Sequence, residues 1–109
     1  MMLETFFDSE YVSQTYSFED ETYTVNITLW NNKPAKIVFG GVIGFQVFSI
    51  CDPIGLKCEM PPSQFFHDAL AAEYVKVPEQ HDYKCYEIIN VDEMPFIKVV
   101  AQKYEYFAD

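Results

Sequence analysis

Residues Thr22 to Leu29 alternate without a fault. Tyr23, Val25, Ile27 and Leu29 fall on one face, and Thr22, Thr24, Asn26 and Thr28 on the other. Successive side chains of a strand point to opposite faces, so this period of two predicts a strand with one buried and one solvated side. Strands of that kind belong to antiparallel sheets, because parallel sheets are covered on both faces. The rest of the chain has to be compatible with such a sheet.

The flanking sequence supplies it. Tyr11 to Phe18 is rich in aromatic and β-branched residues and reads as a strand, followed by an acidic turn at Glu19-Asp20-Glu21. Asn31-Asn32-Lys33-Pro34 is a turn, since Asn tolerates left-handed conformations and Pro cannot donate to a ladder. Ala35 to Phe39 is a short strand, and Gly40-Gly41 suits a two-residue hairpin. Val42 to Cys51, the most apolar strand, is read as central and covered on both faces. Asp52 to Pro62, with three prolines, is read as holding no regular structure. Ser63 then caps a helix whose stripe is Phe66, Ala69, Leu70, Glu73 and Tyr74, with Phe65 and Ala72 close by. The stripe is expected to cover one face of the sheet, and the helix to end near Val77-Pro78. A strand from Tyr83 to Ile89, a turn over Val91 to Pro95 and a long strand from Phe96 to Phe107 complete the chain. The last strand is expected to leave the core near Lys103, and its exposed edge to offer a pairing surface between protomers. The fold class predicted is α+β. It is a twisted or partly closed antiparallel sheet of about six strands, with one helix between strands four and five, in a single domain spanning 1–109.

Composition narrows the function. The 109 residues contain one Trp, eight Tyr and ten Phe, enough to build a core and too many for a disordered chain. Seven Lys, no Arg and 17 acidic residues leave a net charge of −10. Direct nucleic-acid binding is disfavoured, because phosphates are neutralised by clustered Lys and Arg. The N-terminal residues Met1 to Phe7 carry no export signal. The longest apolar stretch, Ile37 to Cys51, is shorter than the ~20 residues of a membrane helix and is broken by Gly40, Gly41 and Gly44. Cys51, Cys58 and Cys85 are odd in number, and reduced thiols in the cytoplasm are the simplest reading.

No catalytic motif is present. His67-Asp68 and His81-Asp82 place a carboxylate beside a histidine, without a nucleophile elbow or Gly-x-Ser-x-Gly. Cys51 and Cys58 stand seven positions apart, against the two-to-four-residue gaps of zinc knuckles, and no His-x-x-x-His or calcium loop accompanies them. Phe39 to Gly44 matches no phosphate-binding glycine pattern. The expectation is a protein with no catalytic residues, no metal and no cofactor. The alternative is a small-ligand-binding protein or enzyme on a curved antiparallel sheet, with the aromatic residues lining its pocket.

The distribution of charge is the most informative feature. Residues 1–32 hold Glu4, Asp8, Glu10, Glu19, Asp20 and Glu21 and no Lys, which is −6 of the −10. Further acids, Asp52, Glu59, Glu79, Asp82, Asp92 and Glu93, fall in predicted loops. Acidic turn tips around an aromatic core suit recognition of a basic protein, because complementary charge raises association rates and fixes orientation. A carboxylate array imitating nucleic acid ranks lower, since the acids gather at turns. In size, charge, aromatic-rich Arg-free composition and strand layout, the chain resembles the small acidic cytosolic immunity proteins of bacterial toxin–immunity systems. Thr28-Leu29-Trp30-Asn31-Asn32 leading into Ile37-Val38-Phe39 is the nearest local feature. The resemblance implies an inhibitor that occludes a basic partner such as a nuclease toxin; a monomer or, through the Phe96 to Phe107 edge, a homodimer is expected. Two partner-binding patches are expected: Glu19, Asp20 and Glu21 with Tyr16, Phe18 and Tyr23, and Asp92 and Glu93 with Tyr83 and Tyr104.

Overall fold

A computed structural model describes residues 2–108. It is mostly β, with strands β1 (Met2–Thr5), β2 (Glu10–Ser17), β3 (Thr22–Thr28), β4 (Pro34–Gly40), β5 (Gly44–Val47) and β6 (Gly55–Cys58). Helix α1 (Gln64–Glu73) follows, and then β7 (Lys84–Ile89), β8 (Pro95–Ala101) and β9 (Lys103–Ala108). The strands form two antiparallel sheets, ordered β1-β6-β7-β8-β5 and β2-β3-β4-β9. The predicted α+β class with a single sheet of about six strands is therefore corrected: nine strands share two sheets, and the short helix lies between the sixth and seventh.

The alternating strand behaves as its period requires. Tyr23, Val25 and Ile27 of β3 are buried against Ile37 and Phe39 of β4 and against Ile88, Ile97 and Val99 of the other sheet. Each fully buried aliphatic side chain contributes about 1.5–3 kcal/mol relative to an exposed one. β2, β3 and β4 form an antiparallel meander, and the next strand, β5, lies in the other sheet. The two sheets also meet at their margins. Tyr104 of β9 donates to Glu4 of β1 at 2.9 Å, and Phe45 of β5 packs on Tyr23 and Tyr16 with ring centroids 4.6 and 5.1 Å apart.

Four sequence expectations change. The run Val42 to Cys51 does not make a central strand; only Gly44–Val47 is extended, at a sheet edge, paired with β8 alone. Gly40-Gly41 closes no hairpin. Gly41, at φ +66°, turns the chain from one sheet to the other, where an added Cβ would collide with Gln102. Gln102 marks the second crossing, so the long C-terminal strand is split into β8 and β9, one in each sheet. The segment Asp52 to Pro62 does contain a strand, β6, placed inside the five-stranded sheet between β1 and β7. Its prolines flank the strand rather than interrupt it, which is where a residue without an N–H is tolerated.

The helix starts where expected, with the Ser63 hydroxyl accepting from Phe66 N–H at 3.4 Å. It ends at Glu73, and only Leu70 of it is buried. Gly44 leaves room for it, since a Cβ there would sit 3.5 Å from Ala69 and 3.8 Å from Phe65. No helix in the described residues is long and apolar enough to cross a membrane.

Candidate functional site

Charge divides into an internal cluster and an outer surface. Lys57 on β6, Glu87 on β7 and Lys98 on β8 lie in one cross-strand row. Lys98 Nζ donates to Glu59 Oε2 at 2.7 Å and stands 3.6 Å from Glu87, while Lys57 is 3.7 Å from Glu87. Glu59, expected in an exposed loop, is 8 % exposed, and Glu87 is 6 % exposed. The second Glu59 oxygen accepts from Ser63 N–H at 2.6 Å, tying the sheet to the helix cap. Burial pushes the Glu59 carboxyl up, but the hydrogen bonds from Lys98 and Ser63 outweigh it and hold it below the usual carboxylate range. Burial likewise lowers Lys98, and the bond and charge of Glu59 with the charge of Glu87 reverse that and raise it. Burial, helped by the Glu59 charge, pushes the neighbouring Cys85 thiol up to about 12, which disfavours its thiolate. These two lysines and two glutamates cancel. The remaining sequence sets fifteen acids against five lysines.

Two groups of the outer acids sit at the ends of β2. At its start, the β1–β2 loop, residues 51–54 and the β7–β8 turn enclose an open cleft of about 640 Å³. Asp8, Glu10, Asp52 and Asp92 line it, with Ser9, Cys51 and Asn90. Tight turns set its walls. Asp8 and Glu93 take positive φ, and the Asn90 side-chain oxygen accepts from the amides of Asp92 and Met94. Asp52 accepts from Tyr11 N–H at 3.1 Å, and Ser9 donates to the Pro53 carbonyl, joining the walls. The exposed side chain of Val91 lines the opening. No lysine lines the cleft, and every ion pair among the described residues belongs to the internal cluster. Asp92 was expected from the sequence; its partners Asp8, Glu10 and Asp52 were not, since only the folded chain brings them together.

The other end of β2 carries the Glu19-Asp20-Glu21 turn, all three exposed. Tyr16 stacks near Phe18 and Phe45, which are 37, 83 and 40 % exposed in that order. Phe45 joins this patch although sequence reasoning placed it inside a central strand. Tyr23 lies beneath the patch, fully buried, with a hydroxyl that has no hydrogen-bond partner among the described residues. Burial raises its pKa further. Tyr83 lies at the opposite end of β7 from Asp92, stacked on Tyr74 and His81. Tyr104 is bonded to Glu4.

His67 is exposed on the helix, and His81 Nδ1 accepts from Tyr83 N–H at 3.2 Å. Among the described residues no group of His, Cys, Asp and Glu is arranged to hold a metal, and all three cysteines are free thiols. The space between the sheets is filled by aromatic and β-branched side chains. Comparison with protein-family models, curated proteins and solved structures found no match.

Proposed function

We propose that this chain is an acidic protein-binding module that occludes a basic protein, in the manner of a cytoplasmic immunity protein facing a nuclease toxin. The cleft carries the reading. Four acidic residues line one open concavity with no cation among its lining residues, together with exposed Val91. A Lys or Arg side chain of a partner would enter between them and gain charge-assisted hydrogen bonds. The apolar rim would supply the anchoring contact area, and the surrounding negative charge would speed encounter. Cancellation of the interior charges supports the same reading, because the whole net charge of the protein is then presented outward.

The test is capture from the source cells through a photo-crosslinker at Val91, followed by association kinetics with the purified partner. The expected partner is a basic protein whose association with Asp52→Lys/Asp92→Lys slows by about tenfold or more at low salt. A neutral or acidic partner, or an unchanged association rate at low salt, would overturn the proposal.

A further inference from the structure

The two sheets have four edge strands, β1, β5, β2 and β9. Exposed edges invite pairing with other chains, and proteins protect them with charges, prolines or bulges. Three of these edges are protected. β1 carries Glu4 and a register break between Met2 and Glu4. β2 carries Glu10 and a break between Tyr11 and Ser13. β9 carries Lys103 and Glu105. β5 is Gly44-Phe45-Gln46-Val47, with no charge, no proline and no register break between Gly44 and Val47; its one irregularity lies at the entry, where Ile43 N–H donates to the carbonyl of Val100, the residue opposite Gly44.

The register shows which groups β5 leaves open. Phe48 N–H donates to the Phe96 carbonyl at 2.9 Å. By the alternation of an antiparallel ladder, Gly44 and Gln46 also turn their backbone groups toward β8, and Phe45 and Val47 turn theirs to the free edge. Two features at that edge specify an occupant. Exposed Tyr16, Phe18 and Phe45 form an aromatic cluster beside it. The acidic turn is fastened to the start of β5, because Val42 N–H donates to the Glu21 carbonyl at 2.9 Å. Glu19, Asp20 and Glu21 form no ion pair among the described residues, and the nearest lysine in register, Lys103, lies two strands from Thr22 across Gly40.

We infer that β5 is a strand-addition site, at which an extended Lys- or Arg-bearing segment of a partner protein pairs with Phe45 and Val47, rests an apolar side chain on Tyr16, Phe18 and Phe45, and sets its cation against Glu19, Asp20 and Glu21. Backbone pairing supplies affinity in this mode, and the flanking side chains supply specificity. The inference shares with the cleft reading only the positive charge of the partner. It uses a separate surface, at the far end of β2.

The probe is a short peptide alternating lysine and valine, with a glutamate–valine peptide of the same length as control. Backbone NMR and amide exchange read binding residue by residue. The lysine peptide is expected to slow exchange at Phe45 and Val47 and to shift the Tyr16, Phe18 and Glu21 signals, while the glutamate peptide does neither. Val47→Pro removes one outward donor and leaves the β8 ladder intact; it is expected to weaken binding about tenfold, the worth of one well-formed hydrogen bond. Glu19→Lys/Asp20→Lys/Glu21→Lys lies wholly on an exposed turn and tests the charge if Val47→Pro fails to fold. Equal binding of both peptides, shifts confined to Asp8, Asp52 and Asp92, or concentration-dependent protection of Phe45 without peptide would each overturn the inference. Asp52→Lys/Asp92→Lys is expected to bind the lysine peptide normally, so failure of the cleft reading and failure of this one are separable.

Discussion

Replacing Lys98 by Met isolates the internal charge cluster. The substitution preserves the length of the side chain and removes the ammonium that Glu59 accepts from at 2.7 Å and Glu87 approaches at 3.6 Å. Both carboxylates are more than nine-tenths buried. Only Ser63 N–H then remains to satisfy Glu59, and only Lys57, at 3.7 Å, to face Glu87. Breaking a buried pair from one side costs about 3–5 kcal/mol, because the surviving charge stays desolvated. That is a large part of the roughly 5–15 kcal/mol available to a domain. The sign of the pH dependence sharpens the test. In the native protein Glu59 lies below its unfolded value, so its contribution is present above the unfolded pKa of about 4.3 and is lost as pH falls through the folded one. Without Lys98, burial is opposed only by the Ser63 hydrogen bonds, and Glu59 is expected to rise above its unfolded value. The cost is then greatest at neutral pH and shrinks on acidification. Urea unfolding of both proteins at pH 7 and pH 5 should show a gap of about 3–5 kcal/mol that narrows at the lower pH. Glu59→Gln added to Lys98→Met should recover part of it. A loss below about 1 kcal/mol at pH 7, or one of equal size at both pH values, would refute the account.

Two further predictions test the core. Tyr23→Phe removes a buried hydroxyl without a partner, so stability should stay level or rise by about 1 kcal/mol in urea unfolding; a loss larger than that would mean the hydroxyl is satisfied. Cys85 is buried with its thiol pushed up to about 12, so an aromatic disulfide reagent at pH 8 should label it only at the rate of opening. Labelling of Cys85 as fast as of Cys51 would contradict the packing.

Local pattern carried much of this protein. The period of two over Thr22 to Thr28 determines a half-buried strand, the turns around it determine the β2–β3–β4 meander, and Ser63 determines the start of α1. These features depend on neighbours a few positions away, and their physics is contained in the segment itself. Non-local pairing decided the rest. An apolar run such as Val42 to Cys51 reads alike at the centre and the edge of a sheet, and only β8 on one side with nothing on the other makes β5 an edge. β6 exists because β1 and β7 flank it, in a segment whose prolines masked four extended residues. Glu59 looks like a loop acid until Lys98, 39 positions away, arrives beneath it. The cleft likewise gathers Asp8, Asp52 and Asp92 from three separate loops and Glu10 from the first position of β2. The sequence alone determined how much negative charge the protein carries and that an aromatic β core would hold it. Tertiary structure decided which carboxylates are neutralised inside and which converge outside, because charges interact through space and not along the chain.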